Sequence, residues 1–121
     1  LDVSGAFHTP FMAPAGEALG AAIAAADFRD AAVPVVANVD ATVHTAAADW
    51  PGLLERQLTS PVRWAASVST LLTEGATAFV EVGPGAVLTG TIKRIERSTD
   101  RHSAMTPDQV DAVVTSLGGA A

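Results

Sequence analysis

Two nearly continuous runs of strand-forming residues constrain the fold more than anything else in this sequence. They are Val33-Pro34-Val35-Val36-Ala37-Asn38-Val39 and Thr77-Ala78-Phe79-Val80-Glu81-Val82. Runs of this kind, apolar rather than alternating, suit strands covered on both faces. Pro34 falls near the entry of the first, where a missing donor does least harm. Around them the apolar positions recur at helical spacing. Met12, Ala15, Leu19, Ala22, Ile23 and Ala26 form one stripe. That helix cannot begin before Pro10, which pushes Thr9 towards extended geometry. Asp49 with Pro51 behind it marks a second start, Leu54 and Leu58 share its face, and Ser60-Pro61 stops it. Trp64, Val68, Leu71 and Leu72 mark a third helix, closed by Gly75. After the tight turn Gly83-Pro84-Gly85, Leu88, Ile92 and Ile95 stripe a fourth. Thr106-Pro107-Asp108-Gln109 is a capping-box pattern ahead of Val110, Val113, Val114 and Leu117, with Gly118-Gly119 at the end.

The order helix, strand, helix, helix, strand, helix, helix argues an α/β fold with parallel strands. The intervening stretches carry less signal. Leu1 to Val3 is a weak strand followed by a Ser4-Gly5 turn, Thr42 to Ala48 is irregular, and Thr99 to Ser103 holds a loop and a minimal edge strand. Two strands are thin for a sheet covered on both faces, so the pattern reads as part of a larger sheet. With no repeat, low-complexity linker or second domain, residues 1–121 read as one incomplete domain that begins in mid-protein.

Aromatic residues make up 5 % of the chain, so packing must rely on small side chains and a few anchors: Phe11, Phe28, Trp50, Trp64 and Phe79. Mean hydropathy is +0.32, high for a domain of this size, which suggests apolar surface that meets something else. A net charge of −6 argues against nucleic acid, whose phosphates would be repelled. No run approaches the length of a membrane helix, so no membrane is expected. The chain has no cysteine, hence no disulfide or thiolate metal site, which suits a cytoplasmic protein.

Gly5-Ala6-Phe7-His8-Thr9-Pro10-Phe11-Met12 is the stretch where chemistry could sit. It puts a histidine on a loop just before a helix, flanked by Gly5 and Pro10. By residue type alone it could be a general base, a metal ligand or a capping residue, with a structural role the plainer reading; its pinning between Gly5 and Pro10 is what tilts it towards proton transfer. His44 and His102 lie in polar surroundings and read as solvent-exposed, and no histidine pair has metal-ligand spacing. Gly83 to Gly90 follows a strand and opens a helix, but lacks the Lys-Ser/Thr of a phosphate loop and reads as a structural turn. Lys93, Arg94 and Arg97 are the densest basic cluster in the chain. No serine lies in a G-x-S-x-G context, so a nucleophile for His8 is not visible.

Four blocks in order carry a resemblance: Gly5-Ala6-Phe7-His8-Thr9-Pro10, Val33-Pro34-Val35-Val36-Ala37-Asn38-Val39-Asp40, Arg56-Gln57-Leu58-Thr59-Ser60-Pro61-Val62-Arg63-Trp64 and Glu81-Val82-Gly83-Pro84-Gly85-Ala86-Val87-Leu88-Thr89-Gly90. The chain resembles the C-terminal part of the malonyl-CoA:acyl carrier protein transacylase family, and is similar to the acyltransferase domains of polyketide synthases. The resemblance implies the last section of an α/β-hydrolase-like large subdomain, without the family's ferredoxin-like insert. It implies ping-pong transfer of malonyl from CoA to the pantetheine thiol of acyl carrier protein, with no cofactor and no metal. His8 would be the catalytic base, oriented by the backbone carbonyl of Gln57, a role indifferent to the Gln57 side chain. Phe7 would favour malonyl over methylmalonyl by filling the space of the extra methyl. The family's nucleophilic serine, in a G-H-S-x-G elbow, is absent from these residues. The partners implied are therefore malonyl-CoA, acyl carrier protein and a remaining N-terminal part, and the chain alone is expected to be inactive. A non-catalytic α/β partner-binding module, or a subunit completed by a separate serine-bearing chain, are the alternatives.

Overall fold

The computed structural model describes residues 5–118; the strand expected at Leu1 to Val3, and Ser4 and Gly119, lie outside them. Contacts divide the chain between Thr70 and Leu71 into two compact units.

The first unit opens where Pro10 dictates. Thr9 is extended (φ −133°, ψ 163°), and a 3-10 helix, Pro10–Ala15, leads straight into helix α1 (Gly16–Ala25). Of the expected stripe only Ile23 is buried on α1, and Phe11, expected as an anchor, is 83 % exposed. The run from Val33 to Val39 is not a buried parallel strand. Val33 is exposed, and only strand β1 (Val35–Val36) pairs, antiparallel, with strand β2 (Val43–His44). The reason lies in the next residues. The chain reverses at once, with Ala37 N–H on the Thr42 carbonyl at 3.0 Å, so the downstream valine cannot extend the ladder. Ala41 sits in the left-handed region (φ 61°), and the Asp40 carboxylate accepts the Thr42 N–H at 3.1 Å, a side-chain brace that suits such a reversal.

Helix α2 (Trp50–Thr59) follows a short 3-10 turn, with Pro51 in its first turn as expected. Asp49 stands at its N-cap position but does not cap it. Helix α3 (Trp64–Thr73) follows the break at Ser60-Pro61. The hairpin turn grips α3 at its start and again two turns further on. Arg63 N–H donates to the Asn38 carbonyl at 2.8 Å, and Thr70 Oγ1–H to the Ala41 carbonyl at 2.7 Å. Leu53 and Val68 are the buried centres of the two helices.

The second unit is a parallel β-α-β-α arrangement. Strand β3 (Ala78–Val82) pairs residue for residue with strand β4 (Asp100–Ala104), from Ala78 opposite Asp100 to Val82 opposite Ala104. Helix α4 (Val87–Ile95) makes the crossover, burying Ile92, and helix α5 (Pro107–Gly118) follows. β4 is a full strand where sequence suggested a minimal one. Its Asp-Arg-His-Ser composition hides it, because the pairing is supplied by β3. Gly75 (φ +95°), Gly83 (φ +133°) and Gly85 (φ +97°) take the left-handed turns that stop α3 and connect β3 to α4. The capping box at α5 forms with its return bond one residue early. Gln109 N–H reaches Thr106 Oγ1 at 3.4 Å, while Gln109 Oε1 accepts from Met105 N–H at 2.7 Å. Apolar side chains remain open. Val82 is 75 % exposed and borders a cleft of about 530 Å³ with Val80, Val110, Val113, Val114 and Leu117.

α4 is capped from a distance. The Glu81 carboxylate accepts the backbone N–H of Thr89 at 2.8 Å and of Leu88 at 3.1 Å, and the Thr89 hydroxyl at 3.1 Å. The Thr89 bond chiefly, opposed by partial desolvation and aided by Leu88, holds this carboxyl below its ordinary value. A depressed folded-state value means stability that is present above the unfolded carboxylate range and lost as pH falls through the folded value. Glu81→Gln should therefore lower Tm at neutral pH and flatten the loss of Tm below about pH 4.5. Thermal unfolding of both proteins against pH measures this; parallel acid limbs would count against it.

Candidate active site

His8 is placed by its neighbours rather than by a secondary-structure element. It lies on the loop before the 3-10 helix in left-handed geometry (φ 60°), a conformation histidine enters more readily than most residues. Thr9 Oγ1–H ties the loop to the Ala6 carbonyl at 2.7 Å. Gly5 lies under the Phe7 ring, so that a Cβ there would collide with it. Phe7 itself is 63 % exposed, and the ring lies on open surface in this chain.

The His8 ring meets the last turn of α2. Its Nδ1 is 3.0 Å from the Gln57 carbonyl oxygen, across 49 positions of sequence. That carbonyl is available for a simple reason. In a continuing helix it would accept the N–H of the residue four further on, and that residue is Pro61, which has none. Among the described residues, a long 3.4 Å contact from Ser60 N–H also reaches it. With Nδ1–H donating to this fixed acceptor, Nε2 is left free to take a proton. The arrangement is that of a general base whose orienting partner is main chain.

The Gln57 side chain is drawn in as well. Its Nε2 donates to the Ser60 carbonyl at 2.9 Å and lies 3.2 Å from His8 Nδ1, while its Oε1 is buried without a partner. Sequence reasoning treated this side chain as indifferent, because nothing in composition reveals which way an amide turns at a helix end.

His44, read from sequence as exposed, is instead the centre of a part-buried charge cluster. Nδ1 lies 3.1 Å from Asp49 Oδ2, and Nε2 lies 2.9 Å from Thr42 Oγ1 and 3.3 Å from Asp40 Oδ2. Arg56 donates to Asp40 at 3.1 Å, and the Trp50 ring stands edge-on to the imidazole. Hydrogen bonding to Asp49 first, and to Asp40 next, holds the His44 value above the ordinary imidazole range against some desolvation. Burial pushes the Asp40 carboxyl up, but the Thr42 donors and His44 together bring it below its ordinary value. The i, i+4 spacing of Asp40 and His44 gave no warning, since the hairpin and not a helix brings them together. His102 is likewise no free surface residue; it lies in β4 opposite Val80. No cluster among the described residues is fit to hold a metal ion, and no described helix is long and apolar enough to cross a membrane. Lys93, Arg94 and Arg97 lie exposed at and just beyond the end of α4.

No family model matches the chain. Individual proteins do. It is 42 % identical over 117 residues to the malonyl CoA-acyl carrier protein transacylase of Bacillus subtilis, covering 97 % of this chain and 37 % of that protein. The Synechocystis transacylase is 44 % identical over 94 residues, 78 % of this chain and 32 % of that protein. The crystal structure of the Xanthomonas oryzae malonyl-CoA:acyl carrier protein transacylase superimposes with a TM-score of 0.85 at 40 % identity, over 96 % of this chain and 37 % of that one. Along nearly its whole length the chain is similar to malonyl CoA-acyl carrier protein transacylases. It spans little more than a third of their length. A further match, at TM-score 0.84 and 33 % identity over 98 % of this chain and 38 % of that one, is a malonyl-transacylase in complex with a type II polyketide synthase acyl-carrier protein. The His8–Gln57 contact joins two of the four blocks that carry the resemblance.

Two outcomes follow from this geometry. Pro61→Ala restores an N–H that competes for the Gln57 carbonyl, so the ring of His8 should lose order while α2 lengthens; ring relaxation by NMR together with helix content reads both, and an unchanged ring would contradict it. Because the folded-state value of His44 is raised, its contribution is full below the unfolded value and fades as pH rises through the folded one. His44→Gln should therefore lower Tm at about pH 5.5, below the ordinary imidazole value, and progressively less above it. A deficit that grows with pH would reverse the assignment.

Proposed function

We propose that this chain is the C-terminal section of an acyltransferase that moves a malonyl group from CoA to the pantetheine thiol of acyl carrier protein, with His8 as general base. The observation that carries this reading is the His8 Nδ1 contact with the Gln57 carbonyl at 3.0 Å, in a chain similar to malonyl transacylases along nearly its whole length. A serine from the remaining N-terminal part would be the nucleophile. His8 Nε2 takes the serine proton as Oγ attacks the malonyl thioester carbonyl. The C–S bond breaks, and the imidazolium returns the proton to the CoA thiolate. In the second half His8 takes the pantetheine thiol proton, the thiolate attacks the acyl-serine, and the serine oxygen leaves and is reprotonated. In the productive tautomer the Gln57 carbonyl accepts from Nδ1–H, and it stabilises the imidazolium. The relatives' greater length supports a longer protein around this section, which we read as an α/β-hydrolase-like subdomain, and the open apolar cleft bordered by Val82 fits cover from outside the chain.

Phe7, beside His8, would bias selection towards malonyl. The exposed Lys93 and Arg94 offer an acidic carrier protein a complementary surface. That carrier proteins dock on such enzymes is supported by the complex of the related malonyl-transacylase.

The test is reconstitution. Combined with its N-terminal part, the chain should transfer malonyl, and His8→Ala should lower transfer by at least about 100-fold, the low end for loss of a general base. Activity that survives the substitution would remove His8 from the mechanism, and transfer by the chain alone would remove the need for a separate serine. Phe7→Ser should raise methylmalonyl use relative to malonyl by about tenfold, since one methyl in a pocket is worth about 10- to 200-fold. Competition between the two thioesters reads the ratio directly, and no change would acquit Phe7.

A further inference from the structure

We propose that the Gln57 side chain is a positioning residue that competes with its own backbone carbonyl for His8 Nδ1, and so sets the tautomer of the ring. Nδ1 offers one in-plane position, which holds either a proton or a lone pair. Two groups of the same residue compete for it. The Gln57 carbonyl, at 3.0 Å, can only accept, and the Gln57 amide nitrogen, at 3.2 Å, can only donate. With Nδ1 protonated, the carbonyl is satisfied and two N–H groups face each other. With Nδ1 bare, the amide is satisfied and the carbonyl oxygen faces a lone pair. Each tautomer of neutral His8 gratifies one group and frustrates the other.

The amide cannot escape by turning over. Its nitrogen is held by the Ser60 carbonyl at 2.9 Å, and turning would bring Oε1 against that oxygen with no proton between them. The orientation is held even though it leaves Oε1 buried and unpartnered, an expensive state for an amide oxygen. The backbone carbonyl of Ser60 thus aims the Gln57 N–H at the ring. The consequence for chemistry, which rests on the reading of His8 as the base, is that only the Nδ1–H form leaves Nε2 able to accept a proton. The side chain holds part of the population in the other form.

The tautomer can be read without any reaction. Ring-nitrogen resonances of the isotope-labelled chain, taken at about pH 8.5 where an ordinary imidazole is neutral, report the protonated fraction of Nδ1 and Nε2; His8→Gln identifies the His8 signals. The wild-type ring should show both nitrogens partly protonated. Gln57→Met removes the donor and keeps the carbonyl, and should shift the ratio towards Nδ1–H by roughly two- to tenfold, the equilibrium worth of one ordinary hydrogen bond. Gln57→Glu, nearly isosteric, replaces the donor by an acceptor and should shift it further the same way; it decides alone if the methionine variant loses α2 by circular dichroism. A wild-type ring already wholly Nδ1–H, or a ratio that does not move in the folded variants, overturns the proposal. Failure of the acyl-transfer reading, seen as full activity of His8→Ala in the reconstituted enzyme, would leave these resonances untouched, so the two ideas fall separately.

Discussion

A helix that ends one donor short is the constraint on which the site depends. α2 cannot continue through Pro61, and the Gln57 carbonyl, stripped of its usual N–H, is left to be satisfied from elsewhere. The His8 ring supplies that donor. The bond serves both partners, since the helix loses an orphan acceptor and the ring gains a fixed direction. Local features hold the other end in place: the left-handed backbone at His8, the Thr9 hydroxyl on the Ala6 carbonyl, and the Phe7 ring over Gly5.

The break between α2 and α3 is itself held by the hairpin. The Asn38 carbonyl accepts from Arg63, just ahead of α3, and the Ala41 carbonyl from Thr70 within it, so the turn after β1 holds α3 at its start and along its length. That turn is braced in its own right by Asp40, which gathers Thr42, His44 and Arg56 around one carboxylate. A line of dependence therefore runs from a surface-near ion cluster, through a two-residue ladder, to the carbonyl that orients the candidate base. The pairs in the cluster are exposed enough that each is a weak link singly. Their value lies in holding one short turn, where a small shift would be passed on to the helix break.

What could be read in advance depended on whether the cause was local. The helix starts at Pro10, Pro51 and Pro107, and the left-handed turns at Gly75, Gly83 and Gly85, follow from residues acting on their own backbone. The strands did not. The valines from 33 to 39 suggested a buried strand, but their fate was decided by a reversal at Ala37 that pairs two of them and leaves Val33 exposed. β4 was underestimated for the opposite reason: Asp100 to Ser103 have little strand preference of their own, and β3 imposes the register. His8 was visible as a histidine pinned on a loop, and Gln57 entered through family resemblance. The physical signal that links them, a proline four residues after the acceptor, was present in the sequence but is weak without knowing what lies opposite. The His44 cluster had no such signal, because a hairpin assembled it.

An orienting acceptor made of main chain has a peculiar heredity. Every amino acid brings a carbonyl, so drift at position 57 cannot delete the group that aims His8. Variation reaches that group indirectly, through the side chain that competes with it and through the residue four places on that withholds a proton donor. A survey of side-chain replacements would thus see the Gln57 amide but overlook the orienting atom, and would register part of the site's sensitivity at Pro61. Constraint and contact part company here, and a map of tolerated substitutions would draw the site around Pro61 as much as around His8.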